Sequence, residues 1–219
     1  MSERLNRYRH IAIEGPIGAG KTTLAGRLAD HLGAELMLEQ PAENPFLWRF
    51  YQDRAGYAFQ TQLFFLFQRE RQMRTLAQPS MFSQAVVSDF MFAKDALFAR
   101  LNLSDEEYRL YAQMHQPIAA QLREPDLVLW LQASAETLLA RVRQRGIASE
   151  HGIDLTYLER LGAAYAEMFA SYDGAPVFVV DTERFHPAAR SADLDRLLDA
   201  LANFCGARGA LGEPPAVFG

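Results

Sequence analysis

The 219-residue chain has little of several features that would restrict its fold or its location. It contains one cysteine, Cys205, so no disulfide can form within the chain. No apolar run is long enough to span a bilayer, and residues 1–10 lack the apolar stretch of a signal peptide. A net charge of −5 argues against a general polyanion binder, which would neutralise many phosphates. With an ordinary globular composition, these absences favour a single-domain cytoplasmic enzyme.

Lysine is also scarce, since the chain has only Lys21 and Lys94. Lys21 lies in a glycine-rich stretch, GPIGAGKT, that matches the pattern G-x-x-x-x-G-K-[ST]. Glycines in this pattern let backbone N–H groups cradle phosphate oxygens at a helix N-terminus. Lys21 is expected to reach the β- and γ-phosphates, Thr22 to supply a ligand to Mg²⁺, and Thr23 to add a phosphate hydrogen bond. The predicted triphosphate-binding residues of this stretch are Gly15, Ile17, Gly18, Ala19, Gly20, Lys21, Thr22 and Thr23.

Short apolar segments alternate with helical patterns along the chain. Residues 8–14 predict a buried strand, and the glycine-rich loop leads from it into a predicted helix over residues 21–32. Further strands are predicted at residues 35–38, 85–88, 127–131 and 177–180. This alternation indicates right-handed crossovers and a parallel sheet covered by helices on both faces. The last residues, 207–219, are rich in Gly and Pro and predict a disordered tail.

The glycine-rich loop predicts a nucleoside triphosphate but not a reaction. A GTPase switch would need an N-K-x-D stretch, which the sequence lacks. A small-molecule kinase needs a carboxylate near the acceptor hydroxyl, and Glu39, just past the second predicted strand, is a candidate with Glu43 as its rival. Asp89 ends the third predicted strand, the usual position for a carboxylate that holds Mg²⁺. Arg141 and Arg145 share one helix face, which suits either a phosphate site or a solvated surface.

The predicted helix over residues 57–78 carries Phe59, Phe64, Phe65 and Phe67. A nucleobase could stack on such rings, although packing in the protein core explains most of them. Phe59 is the ring that we assign to substrate binding, because Gln60 lies beside it.

Several ordered sequence blocks resemble the deoxynucleoside kinase family, and within it the short bacterial deoxyadenosine/deoxyguanosine kinases. The blocks are IAIEGPIGAGKTTLA, ENPFLWRFY with AFQTQLFFL, VVSDF with KDALFARLNLS, and LQASAETLLARVRQRG with YLERL. The resemblance implies ATP- and Mg²⁺-dependent phosphorylation of the 5′-hydroxyl of a deoxynucleoside, with purines favoured, in nucleotide salvage. It also implies a homodimer. We expect a three-layer α/β P-loop kinase fold with a five-stranded parallel sheet over residues 1–206 and a small lid at about residues 141–152.

Residues that match the family pattern acquire roles by resemblance. Glu39 matches the general base for the 5′-hydroxyl, and Tyr51 resembles the tyrosine that contacts the sugar 3′-hydroxyl. Gln60 matches the amide that reads the base edge, and Asp95 lies where the family often has an acidic or amide side chain near the base. The other predicted substrate-binding residues are Phe59, Asp89 and Glu150.

The predicted lid resembles the family lid in three side chains and differs in one. Arg141 and Arg145 match lid arginines, one near the adenine of the donor and one on its phosphates, and Glu150 matches a glutamate that closes over the sugar. Ile147 stands where a second arginine often follows Arg145. A further difference is Phe90, because many members have arginine after the carboxylate of the third strand. Charge stabilisation is therefore expected to fall on Lys21, Arg141, Arg145 and the metal.

Two other functions are compatible with the glycine-rich loop. A nucleoside monophosphate kinase, such as a thymidylate kinase, needs basic residues for the acceptor phosphate, and between Glu39 and Gln60 the chain has only Arg49 and Arg54. A nucleotide-sensing switch would bind ATP to organise a partner without transferring the phosphate to an acceptor.

Overall fold

The computed structural model describes residue 5 and residues 7–76 and 85–212. Within these ranges the strands are β1 His10–Glu14, β2 Glu35–Met37, β3 Val86–Ser88, β4 Leu127–Gln132, β5 Val177–Asp181 and β6 Arg208–Leu211. The helices are α1 Lys21–Leu32, α2 Leu47–Gln52, α3 Arg54–Leu76, α4 Lys94–Asn102, α5 Asp105–Ala119, α6 Ala135–Arg145, α7 Leu155–Ser171 and α8 Ser191–Asn203. Short 3-10 turns lie at Pro41–Glu43 and Ala148–Glu150. No helix in the described ranges has both the length and the hydropathy to cross a bilayer.

The strands of the described ranges form one parallel sheet in the spatial order β2, β3, β1, β4, β5, β6. The five predicted strands correspond to β1 to β5, and their ends differ by at most two residues from the prediction. Helices follow β1 to β5 along the chain and flank the sheet, as parallel strands require. The structure therefore has the expected α/β architecture.

The sheet has six strands, so the prediction of five is wrong. The sixth strand, β6, lies in the segment whose composition predicts a disordered tail, and it pairs in parallel with β5. Its glycine has a packing role, because a Cβ on Gly209 would lie 2.8 Å from the rings of Phe178 and Phe204. Here glycine permits a close approach of the backbone to aromatic side chains. Residues 213–219 of the predicted tail lie outside the described residues.

The main hydrophobic core surrounds β1, β4 and β5, which are almost entirely buried. Central strands of a parallel sheet are covered on both faces, which explains why these segments are apolar without alternation. Trp130 of β4 packs against Phe169 of α7, with 4.6 Å between the ring centroids. A second core cluster is smaller and consists of Leu66, Met73, Phe90, Phe92, Ala99 and Tyr111.

The carboxyl ends of β1, β2 and β3 lie side by side. Ser88 at the end of β3 is in register with Ala12 of β1 and with Met37 of β2. Ligands of open parallel sheets usually bind outside these ends. The glycine-rich loop, Glu39 and Asp89 follow these three strands, so the fold brings them to one edge of the sheet.

Candidate active site

The glycine-rich loop between β1 and α1 is packed tightly against its neighbours. Gly15 and Gly18 have φ angles of +146° and +87°, which other residues rarely adopt. A Cβ on Gly15 would lie 2.4 Å from the carbonyl oxygen of Leu131, and one on Gly18 would lie 2.8 Å from that of Leu138. Both positions therefore require glycine, because β4 and α6 leave no space for a side chain.

Lys21, at the start of α1, turns back over this loop. Its Nζ donates to the carbonyl oxygens of Gly15 at 2.8 Å and Pro16 at 3.0 Å. Burial, and then the nearby charge of Lys94, lower the pKa of Lys21 to about 8, against the opposing effect of surrounding carboxylates. The two lysines of the chain are thus neighbours in one site.

Asp89 forms hydrogen bonds with α1, the helix that follows the glycine-rich loop, and with the segment that follows β2. Its Oδ2 accepts a hydrogen bond from Thr22 Oγ1 at 2.6 Å, and its Oδ1 accepts one from the backbone N–H of Glu39 at 2.7 Å. Asp89 is buried whereas Thr22 is exposed, so the two contacts are only partly shielded from water. The arrangement brings a hydroxyl and a carboxylate oxygen together, and these are ligand atoms that Mg²⁺ prefers.

The carboxylate of Glu39 has a cation on each oxygen. Its Oε1 accepts from Arg69 Nε at 2.9 Å and also from Nη2, and its Oε2 accepts from Lys94 Nζ at 3.1 Å. Burial alone would raise the pKa of Glu39, but Lys94 and Arg69 outweigh it and hold the pKa at about 2. The rival carboxylate, Glu43, is half exposed and accepts from Gln68. Glu39 lines the cavity described below and Glu43 does not.

Arg69 joins Glu39 to Asp95, a fully buried carboxylate. Its Nη1 lies 3.1 Å from Asp95 Oδ2, and Asp95 also accepts from Gln62 Nε2 through its side chain and, at 3.0 Å, its backbone carbonyl. Burial raises the pKa of Asp95, although Arg69 opposes this shift. Burial would lower the pKa of Arg69, but the two carboxylates raise it. We call Glu39, Arg69, Asp95 and Gln62 the acceptor cluster.

One cavity brings most of the predicted site residues together. The predicted residues that line it are Ile17, Gly18, Lys21, Thr22, Glu39, Tyr51, Asp89, Arg145 and Glu150. Other polar and aromatic side chains line it without having been predicted as site residues, among them Gln62, Phe65, Arg69 and Lys94. Burial raises the pKa of the Tyr51 hydroxyl, and the nearby Tyr157, Glu150 and Glu39 raise it further.

The two predicted lid arginines line different cavities. Arg145 lines the main cavity, and its Nη2 lies 2.6 Å from each carboxylate oxygen of Glu150. Arg141 lies one turn earlier on α6 and donates to Thr182, at 2.9 Å to Oγ1 and 2.7 Å to the carbonyl oxygen. It lines a second cavity together with the glycine-rich loop and residues 186–189. We call Arg145 and Glu150 the lid pair.

A family model described as deoxynucleoside kinase matches residues 11–206. The chain belongs to the deoxynucleoside kinase family. It is 35% identical over 162 residues to deoxyguanosine kinase of Bacillus subtilis, which covers 74% of this chain and 78% of that protein. It is 35% identical over 184 residues to deoxyadenosine kinase of Dictyostelium discoideum, which covers 83% of this chain and 71% of that protein. Among solved structures, deoxyadenosine kinase from M. mycoides with bound dATP aligns with a TM-score of 0.77 and 26% identity, over 88% of this chain and 98% of that chain.

Two predicted substrate-binding residues lie on a part of α3 that does not line the cavity. Gln60 Nε2 donates to the carbonyl oxygen of Gly56, one turn earlier on its own helix, and Phe59 packs against the second core cluster. The reason is helical phase, because α3 faces the cavity with residues 58, 61, 62, 65 and 69. Gln62 and Phe65 precede Arg69 by seven and four residues, so the three share the helix face that meets the cavity.

Five other predicted residues do not line the main cavity. Asp95 is fully buried behind Arg69 and Gln62 and does not line the cavity itself. Gly15 lies beneath the loop against β4, and Thr23 is exposed on the first turn of α1. Ala19 and Gly20 line the second cavity, beside Arg141.

Proposed function

We propose that this protein transfers the γ-phosphoryl group of ATP to the 5′-hydroxyl of a deoxynucleoside, giving a deoxynucleoside monophosphate and ADP in nucleotide salvage. The proposal depends above all on one observation: Glu39 lines the same cavity as Lys21 and Thr22. A carboxylate that could accept the hydroxyl proton therefore lies beside the loop that would hold the γ-phosphate. The names of the relatives, deoxyguanosine kinase and deoxyadenosine kinase, support this reaction and favour purines.

The acceptor cluster would bind the nucleoside and activate its hydroxyl. Glu39 would take the proton, and Tyr51 and Glu150 would contact the sugar. The amide nitrogen of Gln62 already donates to Asp95, which leaves the amide oxygen as an acceptor for an N–H group of the base. Phe65 lines the same wall and lies 4.9 Å below the Arg69 guanidinium, so it is the ring that we propose for base stacking.

The donor would enter along the glycine-rich loop. Lys21 would contact its β- and γ-phosphates, and Arg145 would leave the lid pair to contact the transferring group. Arg141, in the second cavity beside residues 18–20, would contact the base of ATP. Thr22 and Asp89 would hold Mg²⁺, whose role is to neutralise charge on the β- and γ-phosphates. Their oxygen atoms, 2.6 Å apart, fit this ion.

The remaining features of the proposal concern the whole protein. We propose a single P-loop kinase domain that comprises residues 1–206 together with the edge strand β6, with a lid at residues 141–152 that excludes water when it closes. The protein would act as a cytoplasmic homodimer, as the family resemblance implies. Light scattering on the purified protein tests the dimer.

One substrate panel tests the reaction. ATP is supplied with each of the four deoxynucleosides, their ribose counterparts and the corresponding monophosphates, and kcat/KM is measured for each. We expect turnover that depends on a deoxynucleoside, with the highest values for dA or dG. Faster phosphorylation of a monophosphate would indicate a nucleoside monophosphate kinase. Tight ATP binding without acceptor-dependent turnover would indicate a nucleotide-sensing switch.

A further inference from the structure

The chain lacks a cation directly after the carboxylate of β3. Phe90 stands there, and its side chain is fully buried in the second core cluster, away from the cavity. The next cation along the chain is Lys94, the first residue of α4. It is 3% exposed although lysine is among the residues least often buried. Such burial requires a specific arrangement of partners.

Lys94 lies between two carboxylates, the fully buried Glu14 and the partly buried Glu39. Its Nζ is 3.1 Å from Glu39 Oε2 and 4.0 Å from Glu14 Oε1. Glu14 is itself fixed, because it accepts from the backbone N–H of Met91 at 2.8 Å, from that of Gly15 at 3.1 Å and from the Tyr165 hydroxyl at 2.8 Å. The ammonium is thus anchored to the start of the glycine-rich loop on one side and holds Glu39 on the other.

The two cations that contact Glu39 link its carboxylate to different parts of the site. Arg69 also contacts Asp95, so it ties Oε1 to the end of the cavity where Gln62 lies. Lys94 ties Oε2 to Glu14 and the glycine-rich loop. A carboxylate held by one cation could still rotate about its terminal bond, whereas a cation on each oxygen fixes its plane. Buried ion pairs contribute little net stability compared with apolar packing, so stability alone does not explain this arrangement.

We propose that Lys94 is a positioning residue that fixes Oε2 of Glu39 relative to the glycine-rich loop, and so aligns the base with the phosphate to be transferred. The inference rests on the proposed function, in which Glu39 accepts the proton of the 5′-hydroxyl. Lys94 supplies from α4 the positive charge that Phe90 does not supply from the end of β3.

A double-mutant cycle with Glu39 tests this role. In Lys94→Met, we expect kcat to fall about 100-fold, while KM for ATP and for the deoxynucleoside changes little. In Lys94→Arg, kcat should recover in part, because the charge returns with a different geometry. In the Glu39→Gln background, Lys94→Met should cause almost no further loss, since the group that Lys94 orients is gone. Arg109→Met, which removes an exposed cation of α5, is the control.

Two kinetic results would overturn the inference. One is an unchanged kcat in Lys94→Met. The other is a fold-decrease in kcat from Lys94→Met that is the same in the wild-type and the Glu39→Gln backgrounds. If Lys94→Met does not purify as a folded protein, the comparison of Glu39→Gln with the double variant still decides, because the double variant removes both charges of the pair. A wild-type protein without deoxynucleoside-dependent turnover would instead contradict the proposed function.

The contact can also be tested without turnover, because the chain has only two lysines. Protein grown with [ε-¹³C]lysine should give two side-chain signals, and Lys94→Arg assigns the signal of Lys94. We expect Glu39→Gln to shift the Lys94 signal and Glu43→Gln to leave it unchanged. A Lys94 signal that does not respond to Glu39→Gln would overturn the inference, whatever the substrate panel shows.

Discussion

The acceptor cluster and the lid pair differ in how far their arginines are buried. The Arg69 side chain of the acceptor cluster is 3% exposed and contacts two carboxylates, whereas the Arg145 side chain of the lid pair is 44% exposed and contacts one. The acceptor cluster therefore holds its charges in fixed positions before any ligand binds. The lid pair lies partly in water, where an ion pair contributes little and exchanges its partner at low cost. We infer that the site for the acceptor is preformed, whereas the donor would bind beside a segment that can move.

The elements that carry the two regions explain this difference. Arg69 and Gln62 lie in the middle of α3, a helix of 23 residues with buried polar side chains on one face. Arg145 is the last residue of α6, and Gly146 after it adopts a left-handed conformation with φ +67° that ends the helix. Side chains in a helix interior are held by packing on both sides, while those at a helix end are less restrained.

Removing the charge of Glu39 should have the largest effect on the acceptor cluster. In Glu39→Gln, we expect kcat to fall between about 10²- and 10⁴-fold, because the base for the 5′-hydroxyl is lost. Calorimetric titration with ADP should show nearly unchanged binding, since the glycine-rich loop is intact. Glu43→Gln is the control and should keep its activity. A normal kcat in Glu39→Gln, or an equal loss in both variants, would exclude Glu39 as the base.

Arg69→Met tests whether the acceptor cluster is fixed by its buried charges. It leaves Glu39 and Asp95 buried without their shared cation, which should lower the free energy of unfolding by about 3–5 kcal/mol. Arg74→Met is a matched control on the same helix, because Arg74 pairs with Glu70 but is 53% exposed. Arg74→Met should lower the free energy of unfolding by at most about 1 kcal/mol. Urea denaturation measures the free energy of unfolding of both variants. An equal decrease in the two would show that the buried ion pairs of Arg69 stabilise the fold no more than the exposed pair of Arg74.

A third prediction separates the two glutamines of α3. Gln62→Ala should lower kcat/KM for the preferred deoxynucleoside by the equivalent of about 1–3 kcal/mol, because a polar group of the base loses its partner. Gln60→Ala should leave kcat/KM nearly unchanged, because within the described ranges its amide bonds only to its own helix. A larger decrease in kcat/KM in Gln60→Ala than in Gln62→Ala would assign base recognition to Gln60. It would also argue against a preformed acceptor cluster.

The glutamines also mark the limit of what the sequence can predict. The strands β1 to β5, the glycine-rich loop and the positions of Glu39 and Asp89 follow from local patterns, since an apolar run and the residue after it are adjacent in the chain. Gln62, Arg69 and Lys94 depend on which face of a helix meets the cavity, and that is decided by packing between distant segments. The sequence does not predict β6, because glycine is typical of turns, whereas Gly209 makes room for two aromatic rings.

The smallest effect is expected at the lid pair. In Arg145→Gln, kcat/KM for ATP should fall by roughly fivefold, because a half-exposed charge contributes up to about 1 kcal/mol and Lys21 still holds the phosphates. The free energy of unfolding should stay the same within error, in contrast to Arg69→Met. Arg143→Gln is the control, since Arg143 is exposed on α6 and does not line the main cavity. A loss in Arg145→Gln as large as that in Glu39→Gln would mean that the lid charge is as fixed as those of the acceptor cluster, and the contrast between the two regions would fail.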